Sequence, residues 1–294
     1  MTASHVTASP GHEQVEGAGV RLHCARMGDG QPVLLLHGFP DFWYGWRRLM
    51  PLLAPRCLAV APDLRGYNLS DKPGGVDAYA MDALVADIAA LARHYGRGRP
   101  VSVVGNDWGG VVAWVTAERH PELIGRLAIL NAPHPAVLAK ALVEDPVQRD
   151  AVGYMGKLRQ PGIETIMAAD GFAPLLGAMA ELSAGGHLGP DDVAAYREAW
   201  AQPGALAAML AWYRAASFAP PDPRWPWPAA PITVPTLLLW GARDGALLPG
   251  LAEAHRPICA DLTIHLLEGA GHWPHVEMPG RVADLLLPFL LTDR

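Results

Sequence analysis

Cysteine and charge are both scarce in this chain. Its 294 residues include three cysteines, Cys24, Cys57 and Cys259, far apart and odd in number. They form no CxxC pair, which excludes a disulfide framework and predicts buried free thiols in a cytoplasmic protein. Charged residues make up only 18% and the formal net charge is −6, so a broad basic footprint for DNA or RNA is excluded. No uninterrupted apolar run reaches bilayer-spanning length. The polar stretch Met1–Gly19 lacks the basic-then-apolar pattern of a signal peptide. Neither a nucleic-acid partner nor a membrane is therefore expected. Also missing are a complete G-x-G-x-x-G, since Gly28-Asp29-Gly30 is only a turn, an HExxH and any Cys/His cluster. No cofactor and no metal are expected.

Apolar residues are plentiful at 51%, ample for one large domain or a core with an insert. Short apolar runs at Val33–Leu36, Cys57–Ala61, Val101–Val104 and Leu127–Leu130 predict buried strands. Helical spacing separates them at Met81–Tyr95 and Trp108–His120. From Pro135 to Phe218 the pattern turns mostly helical, with candidates at Val137–Leu142, Asp150–Arg159, Asp191–Ala199 and Ala205–Ala216. The proline- and tryptophan-rich Ala219–Pro231 suits a rigid return linker. Strands resume at Thr236–Trp240 and Leu262–Leu266, before a helix at Val282–Leu291. The pattern predicts an α/β fold: a mostly parallel sheet with helices on both faces and an inserted helical lid. The division is 1–134 for the first part of the core, 135–228 for the lid and 229–294 for the rest. A lid there would cover the carboxyl edge of the sheet, where open α/β sheets place their sites.

The sharpest local feature is Val103-Val104-Gly105-Asn106-Asp107-Trp108-Gly109-Gly110. A strand precedes it, a helix follows, and small residues flank one reactive side chain. That is the geometry of a G-x-S-x-G nucleophile elbow with aspartate in place of serine. An ordinary aspartate helix cap would fit the same octapeptide. A carboxylate nucleophile attacks saturated carbon and leaves an alkyl ester. On an ordinary ester or amide it would form an anhydride, so epoxides and alkyl halides are the candidate substrates.

The loop Gly269-Ala270-Gly271-His272-Trp273-Pro274 follows a strand and makes His272 the candidate base that activates water. Among twelve histidines, His120, His134, His187, His255 and His275 lack that placement. Asp244, in Trp240-Gly241-Ala242-Arg243-Asp244-Gly245, can orient His272, although a turn aspartate before glycine reads equally well. The order Asp107, Asp244, His272 is the one expected for this fold. The turn His37-Gly38-Phe39-Pro40 follows the first predicted strand, and the Phe39 and Trp108 N–H groups could form an oxyanion hole. His37 fits a role in supporting that turn.

The ordered set resembles the epoxide-hydrolase branch of the α/β-hydrolase superfamily from about residue 20 onward. It comprises His37–Pro40 with Trp43 and Trp46, Asp63-Leu64-Arg65-Gly66-Tyr67 with Ser70-Asp71, Gly105–Gly110, Asn131–Pro135, Trp212-Tyr213-Arg214, Arg243-Asp244 and Gly269–Trp273. The resemblance implies two lid tyrosines that hold and protonate the epoxide oxygen, falling on Tyr154 and Tyr213. The residues alone would equally let both phenols pack the lid. One departure is Asn106, where the family commonly has histidine; it is not required by the reaction as written. The resemblance implies a small apolar or amphipathic epoxide and a catalytic water as partners, and leaves a homodimer open. Two rivals stand beside it. A dehalogenase would share Asp107 and His272 and need halide-binding N–H donors such as the Trp108 indole. A catalytically silent protein would use the pocket only for ligand binding.

Overall fold

A computed structural model describes residues 9–216 and 230–292. The predicted linker Ala219–Pro231 lies, except for its last two residues, outside the described residues, and so does the predicted lid boundary after residue 228. The described strands form one eight-stranded sheet in the order β1-β2-β4-β3-β5-β6-β7-β8. The strands are β1 Gly11–Glu16, β2 Arg21–Met27, β3 Gln31–Leu36, β4 Cys57–Pro62, β5 Val101–Asn106, β6 Ile124–Leu130, β7 Thr236–Gly241 and β8 Leu262–Leu267. From β4 to β8 all neighbours are parallel, whereas β2 runs antiparallel to both β1 and β4.

The period of two along each central strand sorts its side chains onto two faces. Leu34, Val103, Leu127 and Leu238 join one apolar cluster with Ile88 and Leu91 of the helix Met81–Gly96 and Trp114 of the helix Asp107–Arg119. Val33, Leu35, Val104, Ala128 and Leu239 join another, with Met50, Leu53 and Val282, Leu286 and Leu290 of the helix Pro279–Leu291. Helices thus cover both faces, as the near-continuous apolar runs of β3, β5 and β7 require.

Some sequence expectations need correction. The polar start contains a strand, β1, and β2 follows it; both were unread because an edge hairpin with one wetted face lacks a continuous apolar run. Asp150–Arg159 is not one helix but two short ones, Pro146–Ala151 and Tyr154–Leu158, parted at Val152-Gly153. The helical run Ile163–Ala178 was also unread; it is broken by non-helical backbone at Ala169–Phe172 and carries Pro174. Cys24 and Cys57 are buried free thiols, whereas Cys259 is partly exposed. No described helix is long and apolar enough to cross a membrane.

The helices between β6 and β7 dock onto the core through side chains that satisfy loop groups. Tyr196 donates to Asp41 Oδ1 at 2.8 Å, the Trp200 indole to the Pro40 carbonyl at 2.6 Å and the Trp212 indole to the Arg65 carbonyl at 3.0 Å. Arg47 pairs with Asp192 at 2.7 Å. Three of these four contacts reach the segment Pro40–Arg47 that follows β3, so the insertion lies over the carboxyl end of the sheet.

Candidate active site

Asp107 is the first residue after β5, and its φ of 50° puts a non-glycine residue in the left-handed region. Such a conformation costs about 1–3 kcal/mol and persists only where the surroundings enforce it. Two glycines permit the close packing. A Cβ on Gly109 would sit 2.2 Å from the Leu36 carbonyl oxygen, and one on Gly38 would sit 2.2 Å from Asp107 Oδ1. The sharp turn lifts the carboxylate out of the sheet. Its Oδ1 accepts the Phe39 N–H at 2.8 Å, and its Oδ2 faces His272 Nε2 at 3.4 Å.

His272 Nδ1 lies 2.7 Å from Asp244 Oδ2. Asp244 is almost wholly buried and fully satisfied: Oδ1 accepts the Ala246 and Leu247 N–H groups at 2.9 Å each, and Oδ2 accepts the Asn131 amide at 2.7 Å. Burial alone would raise the Asp244 pKa, but the His272 charge and these donors hold it below the usual carboxylate range. Burial alone would lower His272; the Asp244 and Asp107 carboxylates overcome it and hold its pKa well above the ordinary imidazole value.

The lid supplies the two tyrosines. Tyr213, on the helix Ala205–Ala215, is 1% exposed, with its ring edge-on to Phe39 at 5.1 Å and to Trp108 at 5.2 Å. Burial, then Tyr154 and Asp107, push its phenol far up, against a hydrogen bond with the Trp108 side chain that works the other way. Tyr154 keeps 37% of its surface accessible; desolvation and then the Asp107 and Asp244 charges raise its pKa too. Both phenols therefore stay protonated as donors. All five candidate side chains line one cavity of about 640 Å³, with Phe39, Leu158, Leu175 and Trp273 supplying apolar wall. No group of His, Cys, Asp and Glu suited to a metal ion occurs among the described residues.

Three residues matter more than the sequence reading allowed. Asn131 Nδ2 holds Asp244 while its Oδ1 accepts the Gly241 N–H at 2.8 Å, so one side chain joins the ends of β6 and β7. Its signals in the sequence are its place in a turn directly after a buried strand and in the string Asn131–Pro135, neither of which assigns it a contact. Glu277 accepts the N–H groups of Gly271 at 2.8 Å and Trp273 at 3.0 Å and so braces both sides of His272. Nothing in the sequence marks it. Asn106 is wholly buried and donates to the carbonyls of Leu130 at 3.0 Å and His272 at 3.1 Å. It ties the nucleophile strand to the loop of the base. His37 does support its turn: Nε2 accepts the Leu64 N–H at 3.0 Å. His275 is buried 3.6 Å from Asp41, away from the triad contacts.

The description "alpha/beta hydrolase fold" belongs to a family model that matches residues 31–279. An α/β-hydrolase superfamily protein of Bacillus subtilis, YfhM, is 38% identical over 92% of this chain and 95% of its own length. Epoxide hydrolase 4 of Mus musculus is 33% identical over 95% of this chain and 79% of its own. Among solved structures, an inhibitor complex of the Bacillus megaterium epoxide hydrolase superposes with a TM-score of 0.90 at 31% identity, covering 95% of this chain and all of that one.

Proposed function

The chain belongs to the α/β-hydrolase fold family, in its epoxide-hydrolase group, and we propose that its site opens an epoxide to a vicinal diol through an ester on Asp107. The observation that carries this reading is the division of labour within one carboxylate. Oδ1 is occupied by the Phe39 N–H, while Oδ2 faces His272 and the cavity shared with Tyr154 and Tyr213.

In the first half, Asp107 Oδ2 attacks a ring carbon and the carbon–oxygen bond of the ring breaks. The leaving alkoxide takes a proton from Tyr213 or Tyr154. A phenol with a raised pKa gives its proton only as alkoxide charge develops, so it acts in the transition state and not before. Alkylation then removes the negative charge of Asp107, and with it part of what held His272 protonated. The imidazole passes its proton to the tyrosinate and is left neutral just when a base is needed.

In the second half, neutral His272 takes a proton from water, and the hydroxide formed attacks the carbonyl carbon of the ester. Charge appears on Oδ1, the oxygen that already holds the Phe39 N–H; the Trp108 N–H serves as second donor. Collapse expels the diol and restores the carboxylate. The proton taken from water leaves His272 protonated beside an intact phenol, so the site ends as it began.

In this reading residues 135–228 form the lid, which brings the tyrosines to the cavity, and 1–134 with 229–294 form the core. The dehalogenase rival is disfavoured because the Trp108 side chain is engaged with Tyr213 and not offered to a halide. The test is the intact mass of a His272→Gln protein exposed to epoxides and alkyl halides, with the adduct mapped. A whole-epoxide adduct on Asp107 is expected. An alkyl adduct without its halogen would move the assignment to dehalogenation, and ligand bound without adduct or turnover would favour a silent binding protein.

A further inference from the structure

The charges of the cavity are lopsided. Its acidic lining comprises Asp107, Asp244 and Glu181, and its basic lining, among the described residues, is His272 alone. Asp107 and Asp244 are committed to the triad contacts, but Glu181 is not. It lies in the first turn of the short lid helix Ala180–Ala184, is exposed, and its carboxylate has no hydrogen bond or ion pair to a described residue. Its carboxylate lies against the loop of the base: a Cβ built on Gly271 would come within 2.9 Å of Glu181 Oε2. Glu277, at the same loop, already spends its oxygens on the Gly271 and Trp273 N–H groups. Glu181 is thus an uncommitted acceptor beside the reacting groups, in an otherwise largely apolar cavity.

From this placement we propose that Glu181 is a specificity determinant. It selects epoxides whose second end carries an ammonium or another hydrogen-bond donor, and it rejects those ending in a carboxylate. The inference rests on the epoxide reading above and adds to it the charge class of the substrate. The cause is Coulombic. A substrate anion entering the cavity meets a net negative lining even with His272 protonated, and no lysine or arginine among the described lining residues compensates it. A cation meets the opposite field and a free carboxylate to pair with.

The experiment uses the full chain and three glycidyl ethers of matched length, ending in trimethylammonium, methyl ether and carboxylate. In the native protein kcat/KM should fall in that order, with a cation-to-anion ratio of about tenfold or more at low salt that shrinks at high salt. Glu181→Gln should reduce the ratio about tenfold, and Glu181→Lys should invert it. Circular dichroism on both variants checks that folding is intact, as expected for an exposed residue. A native ratio near one, or a ratio unmoved by both substitutions, overturns the proposal while leaving epoxide hydrolysis standing. Failure of the native protein to turn over these ethers or any plain apolar epoxide overturns the epoxide reading, and this inference falls with it.

Discussion

The core half of the site and the lid half are built to different standards. In the core, every carboxylate oxygen of Asp107 and Asp244 has a partner, Asn131 and Asn106 tie the segments that carry the triad to one another, and Glu277 braces the His272 loop. In the lid, Tyr213 is sealed between Phe39 and Trp108, but Tyr154 stands more than a third exposed and the Glu181 carboxylate has no described partner. The reacting carboxylate must be held to within a fraction of an ångström, and strand ends can do that. The groups that meet the variable part of a substrate gain from being loosely held, and a helical insertion supplies them without disturbing the sheet.

Removing the nucleophile should have the largest effect on that comparison. Asp107→Ala is expected to lower kcat by at least about 10⁴-fold and to abolish covalent adduct, with the thermal midpoint largely kept; an adduct on another residue would refute the assignment. The lid comes next. Tyr213→Phe should slow alkylation by about a hundredfold, and Tyr154→Phe by about tenfold, because the Tyr213 ring is clamped by Phe39 and Trp108 whereas Tyr154, with its hydroxyl desolvated, keeps more than a third of its surface accessible. Equal losses, measured by single-turnover kinetics, would remove the distinction drawn between the two tyrosines.

The joint between core and lid carries its own test. His255 accepts the His134 N–H at 2.9 Å at the entry to the insertion, and its burial lowers its pKa to about 4. A histidine depressed in the folded state costs stability as pH falls below its unfolded value, about 6.5, and the loss levels off below the folded value. The expected loss is about 3 kcal/mol by pH 4. Urea midpoints between pH 7 and pH 4 should therefore fall more steeply in the native protein than in His255→Gln, and parallel slopes would rule the effect out. The smallest effect concerns Asn106. Asn106→Leu keeps the volume but loses the donor to the His272 carbonyl, so ester hydrolysis should slow about tenfold while alkylation holds. Accumulating ester in a mass spectrum is the sign; equal slowing of both steps would mean a general structural role.

The sequence read best where one local pattern carries the whole signal. Val101–Asn106 is a short valine-rich strand closed by a glycine-flanked aspartate, and Gly269–Trp273 places a histidine on a loop after a strand. The edge hairpin β1–β2 escaped because its wetted face dilutes apolar content. The lid run Ile163–Ala178 escaped because Pro174 and the left-handed residues Asp170–Phe172 break its period. The contacts of Asn131 escaped for another reason: hydrogen bonds to Asp244 and Gly241, more than a hundred residues away, leave no periodic trace.

The sequence by itself determined the reacting set. Strand periodicity and turn chemistry are local, so they put Asp107, Asp244 and His272 at strand ends in the order expected for this fold. Only the tertiary structure decided which oxygen of Asp107 faces His272, which tyrosine is sealed and that the Glu181 carboxylate shares the cavity. Those facts depend on side chains brought together by packing across the sheet and its insertion, and contacts between residues far apart in the chain are not written in the neighbourhood of either one.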